Sequence, residues 1–221
     1  ADLRMEETET ILSRLLQWLR RLFGQLSPPV PPQPAPCRVS LIIIDPVLSN
    51  SGGRRLSRVL GWNDPDLLVR EFVRDLTEVS HGCAQYTIVE RIEVDEFPVK
   101  EDGFRYTEEE YLRVVRTRQG MHRPDEIDYY TLLHECAIID KINAGLIDEV
   151  WTVSFPWAGF FESRMAGPGA YWCNAPLLPM TDSARRRFLI MGFNYERGVG
   201  EMLESYGHRA ESILARVFND S

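Results

Sequence analysis

Long apolar runs are missing from this sequence of 221 residues. A membrane-spanning helix needs about 18 or more consecutive apolar residues, and no such stretch occurs, so we predict no transmembrane segment. Positive charge is also scarce, since 25 Lys and Arg residues stand against 33 Asp and Glu residues and the formal net charge is −8. Because binding to a phosphate backbone depends on clustered cations, we expect no nucleic-acid partner.

The motifs of several large enzyme classes are missing as well. Gly52 and Gly53 follow the first predicted strand without the G-x-G-x-x-G spacing of dinucleotide-binding turns, and no G-x-x-x-x-G-K-[ST] loop occurs. The chain has neither the G-x-S-x-G turn of common α/β hydrolases nor the H-E-x-x-H pair of zinc peptidases. We therefore predict no cofactor, apart from a divalent metal considered below.

The four cysteines fit no zinc site and no haem attachment, and isolated buried thiols are the simplest interpretation. Cys37 and Cys83 allow one other interpretation, because each precedes a predicted strand. If those strands are neighbours, the two thiols would lie level at one edge of the sheet. A disulfide between them would indicate an oxidising compartment.

Composition divides the chain into three parts. Residues 1–27 hold an amphipathic helix, with apolar residues at helical spacing over 7–26, and residues 28–37 are a proline-rich linker that favours extended polyproline II. The linker cannot continue the helix, so the apolar face must be buried elsewhere. It packs on the main domain over 38–221, mediates self-association or binding of a partner protein, or lies on a membrane surface.

From residue 38 onward, strand and helix patterns alternate. This predicts an α/β fold with a doubly wound, mainly parallel sheet in Rossmann-like or flavodoxin-like layers, beside the extra N-terminal amphipathic helix. Strands are predicted over 39–44, 85–94, 148–155 and 187–193, and helices from Pro65 behind an Asp64 cap, over 106–118, 126–144 and 198–218. Parallel crossovers are right-handed, so the carboxyl ends of these strands should share one edge.

Acidic and polar side chains follow every predicted strand, at the edge where ligands bind in open α/β sheets. Ordinary loop polarity is one explanation. If the side chains converge, Glu162 and Glu196 are candidates for acid and base catalysis, since paired carboxylates in a cleft can divide these roles. The residues at this edge are Asp45 and Asp95 after the first two strands, Trp157 and Glu162 after the third, and Asn194 and Glu196 after the fourth.

The segment 155–174 combines aromatic rings, glycines and a few polar groups, which is typical of a ligand-binding loop. Aromatic rings beside carboxylates suit a sugar, whose apolar face stacks while its hydroxyl groups form hydrogen bonds. The same rings are also explained as a small core within the loop. Its ligand-binding candidates, besides Trp157, are Arg164, Tyr171, Trp172 and Asn174.

The last predicted helix carries Glu201, Glu204, His208 and Glu211 on one face. Glu204 and His208 could share a divalent metal ion, and His208 is an auxiliary catalytic candidate. The opposite face carries apolar residues that include Leu214 and Val217, so a plain solvated acidic face is the competing explanation.

The segments 162–174, 193–198 and 207–212 resemble parts of large, uncharacterised secreted bacterial proteins. The resemblance covers residue 38 to the C-terminus, implies an extracellular or secreted location and implies no catalytic residue. Our leading hypothesis is an extracellular hydrolase-like domain that acts on a glycan or other polymer through loop carboxylates. The alternative is a non-catalytic ligand-recognition or assembly module whose N-terminal helix mediates association.

Overall fold

A computed structural model describes residues 35–219 of the chain. The predicted helix over 7–26 and most of the proline-rich linker lie outside the described residues. Among the helices that are described, none is long and apolar enough to cross a membrane, in keeping with the sequence prediction.

Strands and helices alternate through most of the described chain, which confirms an α/β fold. The strands are β1 (Ala35–Ile44), β2 (Val47–Leu48), β3 (Arg54–Arg55), β4 (Ala84–Val94), β5 (Glu149–Ser154), β6 (Ser163–Ala166) and β7 (Phe188–Asn194). The helices are α1 (Leu56–Leu60), α2 (Pro65–Val79), α3 (Glu108–Thr117), α4 (Tyr129–Glu135), α5 (Ile138–Asn143) and α6 (Val199–Asn219).

The central sheet has five strands in the order β4-β1-β5-β7-β6. β1 is parallel to β4 and to β5, and β7 is parallel to β5, so the four strands predicted from the sequence run in the same direction. β6 is antiparallel to β7 at one edge, and β2 pairs with β3 in a separate two-stranded hairpin. The sheet is therefore mostly parallel; its Rossmann-like or flavodoxin-like layering stays a prediction.

Local sequence signals explain where several helices begin. Asp64 caps α2 by accepting a hydrogen bond from the backbone N–H of Leu67 at 3.1 Å, with Pro65 in the first turn as predicted. Thr107 and Glu110 form a capping box at the start of α3. The single helix predicted over 126–144 is wrong, because Ala137 has a φ of +50° and separates α4 from α5.

A bulge in β4 decides which face of the sheet its side chains occupy. The register between β1 and β4 shifts so that Val89 has no partner in β1. Before the bulge, the ring of Tyr86 lies 4.9 Å from that of Trp151; after it, Glu90 accepts a hydrogen bond from Ser40 on the opposite face at 2.6 Å. Every second residue of β4 is partly buried, and because of the bulge these residues lie on one face of the sheet before Val89 and on the opposite face after it.

Aromatic rings form the core on the face that Trp151 occupies. Phe72 of α2 lies 5.2 Å from Trp151 in β5, 5.1 Å from Phe193 in β7 and 6.3 Å from Tyr206 in α6, as measured between ring centroids. Because one ring touches two strands and another helix, α2 and α6 pack together against the sheet.

The disulfide suggested for Cys37 and Cys83 is wrong, since all four cysteines have free thiols. The two strands are neighbours, but Cys37 lies opposite Tyr86, and Cys83 comes three residues earlier. At about 3.3 Å per residue this offset separates the two Cα atoms by roughly 10 Å, whereas a disulfide needs less than about 7 Å.

Candidate functional site

A cavity of about 610 Å³ lies beyond the carboxyl ends of two neighbouring parallel strands. Ser154 and Asn194, the last residues of β5 and β7, line it, together with the segment 155–162 and the first turns of α6. Its volume falls within the range of small-molecule sites, and it lies at the strand end where α/β sheets bind ligands.

Aromatic rings form part of the cavity wall. Trp157, Phe160 and Phe161 all line the cavity. The guanidinium group of Arg118 lies over the Trp157 ring at 5.4 Å from its centroid, which is a cation–π contact. A ring platform is therefore present, and one of its rings carries a cation on one side.

The fully buried side chain of Lys100 holds the aromatic wall in place. Its Nζ donates hydrogen bonds to the Trp157 carbonyl at 2.6 Å, the Asp125 carbonyl at 2.7 Å and the Asp125 carboxylate at 2.8 Å. Burial lowers the pKa of Lys100, and the three acceptors match the three protons of its charged form. This role of Lys100 could not be predicted from the sequence, because lysine is rarely buried.

Glu162 is the sequence-predicted carboxylate that lines the cavity. Its Oε2 accepts a hydrogen bond from Asn174 Nδ2 at 2.7 Å and lies 2.9 Å from His208 Nδ1. The contact with Glu162 raises the pKa of His208, since a neighbouring carboxylate favours the imidazolium form. His208 itself is not among the residues that line the cavity, and within the described residues its Nε2 makes no hydrogen bond.

The Glu162–His208 contact joins two separate parts of the chain, and Ser212 closes the connection. The backbone N–H of Asn174 donates to Ser212 Oγ at 3.2 Å, and this hydroxyl donates to the His208 carbonyl at 3.0 Å. Asn174 holds this position with a φ of +56°, a left-handed conformation that asparagine tolerates better than most residues. The segment after β6 is thus fixed to α6 at the carboxylate.

Glu196 is not among the residues that line the cavity. Its carboxylate lies 3.2 Å from Arg118 Nη2, and Arg118 covers Trp157. Asn194 does line the cavity, and its side-chain oxygen accepts a hydrogen bond from the Glu196 backbone N–H at 2.9 Å. The structure therefore brings Trp157, Glu162 and Asn194 to one cavity, with Glu196 behind Arg118.

The carboxylates after the first two strands also lie outside the cavity lining. Asp45 is buried and accepts hydrogen bonds from the Ser57 backbone N–H at 2.9 Å, the Ser57 hydroxyl at 2.6 Å and the Tyr195 hydroxyl at 3.3 Å. Asp95 is exposed and forms an ion pair with Arg55. The contacts of Asp45 and Asp95 fix neighbouring loops.

Arg164 supports the cavity wall from behind. This buried side chain in β6 pairs with Glu126, and its guanidinium group lies 4.9 Å from the Tyr129 ring and 5.3 Å from the Phe161 ring. Glu126 and Phe161 line the cavity, so Arg164 holds two of its lining residues.

Tyr171 and Trp172 do not line the cavity. The Tyr171 ring lies 5.5 Å from Arg187 and 5.7 Å from Arg216, and the Trp172 side chain is 62% exposed. They follow the short strand β6, which interrupts the segment 155–174 that the sequence predicts as one ligand-binding loop.

Glu204 is exposed on α6, and no group of three or more His, Cys, Asp or Glu side chains between residues 35 and 219 is arranged to hold a metal ion. The metal pair of Glu204 and His208 stays a prediction. The expected apolar face is wrong at its end, because Leu214 and Val217 are 53% and 56% exposed. The buried residues of α6 are Met202, Ser205 and Arg209.

Comparison of the chain with protein-family models, with curated proteins and with solved structures found no match. Its function must therefore be inferred from the geometry of the cavity.

Proposed function

We propose that this domain is a hydrolase that acts on a glycan or another polyhydroxylated polymer, and that Glu162 and His208 are its acid–base pair. The observation that carries the proposal is the 2.9 Å contact between Glu162 and His208 beside a cavity with aromatic walls. The aromatic faces of Trp157 and Phe160 would stack on sugar rings, and Asn194 would bind hydroxyl groups.

The chemistry of the pair follows from the donors and acceptors. An ionised Glu162 only accepts hydrogen bonds, so Nδ1 of His208 carries the proton between them and Nε2 is the basic nitrogen of the neutral ring. A carboxylate at Nδ1 orients the imidazole and stabilises its protonated form. His208 would then take a proton from the water that attacks the scissile bond and, as an imidazolium, donate it to the leaving oxygen as that bond breaks, and Asn174 would keep Glu162 in position.

Glu196 has a different part in this proposal from the one predicted from the sequence. It holds Arg118 over the Trp157 ring, and it would reach a substrate as a second carboxylate only after its pair with Arg118 opens. The protein would act outside the cell, in line with the secreted proteins that its sequence resembles. A doubly wound layering and association through residues 7–26 also belong to this proposal.

The second candidate is a non-catalytic glycan-recognition module. The position of Glu196 favours it, because a glycosidase that works with two carboxylates needs both beside the scissile bond, and only Glu162 of the two lines the cavity. A recognition module needs the aromatic wall and the polar groups alone.

Incubation with a panel of polysaccharides would separate the two candidates. We would measure release of reducing ends from a neutral glucan, a xylan, chitin oligomers and polygalacturonate, and binding to each by calorimetry. The variants are Glu162→Gln, His208→Gln and, as the matched control, Glu109→Gln, whose carboxylate is exposed on α3.

Hydrolysis of one polymer, lost by about 100-fold or more in the first two variants and unchanged in the control, would support the hydrolase. Binding without cleavage would identify the recognition module. Neither binding nor cleavage of any polymer would contradict both candidates.

A further inference from the structure

Most of the acidic side chains that line the cavity have a hydrogen-bond or ion-pair partner within the protein. Five carboxylates line it. Within residues 35–219, only the carboxylate of Glu101, on the exposed turn after β4, has neither a side-chain nor a backbone partner. The other four bind as follows: Asp125 to Lys100, Glu126 to Arg164, Glu162 to Asn174 and His208, and Glu201 to the backbone N–H of Gly198 at 3.0 Å.

Two arginines line the same cavity, and their guanidinium groups are free. Neither Arg123 nor Arg197 makes a side-chain hydrogen bond, ion pair or ring contact in the part of the chain that the structure describes. Both are exposed, so their donors are available to a ligand. Lys100 and Arg164 each pair with one of the five carboxylates, so Arg123 and Arg197 are the cations of the cavity lining that have no carboxylate partner within residues 35–219.

Hydrogen bonds hold the backbone at Arg197 and at the residue before Arg123. The Arg197 N–H donates to the Asn194 carbonyl at 3.0 Å, and its carbonyl accepts from Asn63 Nδ2 at 2.9 Å. Next to Arg123, the His122 N–H donates to the Tyr106 hydroxyl at 2.7 Å. Arg123 and Arg197 thus lie on two different segments of the cavity lining.

We infer that the ligand of this cavity is anionic, namely a saccharide that carries a carboxylate, such as a uronic-acid unit, which Arg123 and Arg197 bind. The saccharide part rests on the proposed function, and the charge rests on the two free arginines. The planar fork of a guanidinium group matches a carboxylate with two parallel hydrogen bonds. A neutral glycan would leave both guanidinium groups hydrogen-bonded to water.

Calorimetric titration with tetragalacturonate and tetramannuronate would test the inference, with maltotetraose as the neutral probe of similar length. The variants are Arg123→Gln, Arg197→Gln and the double variant, and Arg70→Gln is the control, since Arg70 is exposed on α2 and away from the cavity lining. We expect a uronate to bind, each cavity variant to weaken it by about tenfold or more, and added salt to weaken it further.

The control variant should bind the uronate as the original protein does. Failure of both uronates to bind, equal binding of maltotetraose, or full affinity in the double variant would each overturn the inference. A sulfated tetrasaccharide that binds more tightly than both uronates would overturn the assignment to a carboxylate.

The hydrolase proposal and this inference fail in different ways. A uronate that binds through the two arginines but is not cleaved would leave the inference standing and contradict hydrolysis. Cleavage of a neutral glycan, unchanged in the double variant and lost in Glu162→Gln, would do the reverse.

Discussion

Glu149 and Arg209 form a buried, bidentate ion pair that joins the first residue of β5 to the middle of α6. Arg209 Nη1 donates to Glu149 Oε2 at 2.7 Å, and Nη2 donates to the other carboxylate oxygen. The two residues are 8% and 6% exposed, and Trp151 Nε1 donates to the same carboxylate at 3.2 Å. Because α6 also carries His208, this pair anchors the helix that positions half of the candidate acid–base pair.

Removal of Arg209 alone should destabilise the domain strongly. In Arg209→Met the carboxylate of Glu149 stays buried without its cation, and we expect the free energy of unfolding to fall by about 3–5 kcal/mol. Urea denaturation followed by tryptophan fluorescence measures this change. The double variant Glu149→Leu with Arg209→Met should recover much of the loss, because no buried charge is then left. A single variant as stable as the original chain would contradict the role given to the pair.

The contact between Glu162 and His208 predicts a specific titration. The pKa of His208 is raised in the folded protein, so the contact stabilises the fold fully below the ordinary histidine pKa, and this stability is lost as pH rises through the raised value. NMR titration of the His208 ring should show the raised pKa in the original protein and a lower one in Glu162→Gln. Glu109→Gln should leave the pKa of His208 unchanged. An unchanged pKa in Glu162→Gln would contradict the contact between Glu162 and His208.

Lys100 should matter far more to stability than the second lysine of the chain. In Lys100→Met the Trp157 and Asp125 carbonyls lose their buried donor, and we expect a loss of about 3 kcal/mol together with weaker ligand binding. Lys141→Met removes only a partly exposed pair with Glu90 and should cost about 1 kcal/mol or less. Urea denaturation of both variants checks the difference, and equal losses would show that Lys100 does not hold the wall.

Much of the fold could be predicted from the sequence, because many of its strands and helices have clear apolar patterns or clear helix-start signals. The continuous apolar run of β1 and the Asp64-Pro65 start of α2 each occur where local chemistry placed them. The strand β6 was missed because four buried residues within a glycine-rich and aromatic segment give no alternation to detect. The break at Ala137 was missed because neither glycine nor proline marks it.

Only those features of the candidate site that follow from the direction of the parallel strands could be predicted from the sequence. The shared direction of β5 and β7 placed Glu162 and Asn194 at one edge, and both line the cavity. The partner of Glu162 could not be predicted, because His208 is 46 residues away in the sequence and lies on an acidic helix face that is typical of a solvent-exposed surface. Glu162 directly precedes β6 and His208 lies in α6, and no local pattern in the sequence reports a contact between two such distant segments.

Gly159 should tolerate no side chain, because the cavity wall approaches the buried lysine there. A Cβ at this position would lie 2.0 Å from the Asp125 carbonyl oxygen and 2.8 Å from Lys100 Nζ, and its φ of +101° is strained for any other residue. We expect Gly159→Ala to cost about 3 kcal/mol or more and to weaken ligand binding in the cavity.

Gly53→Ala is the matched control, since Gly53 also has a positive φ, of +69°, but nothing lies within 4 Å of its added Cβ. It should cost only the backbone strain, about 1 kcal/mol, and leave the cavity unchanged. Urea denaturation and calorimetric titration of both variants measure the two effects. If the variants lose equal stability, the strain at a positive φ explains both, and the close approach of Asp125 and Lys100 to Gly159 has no energetic weight of its own.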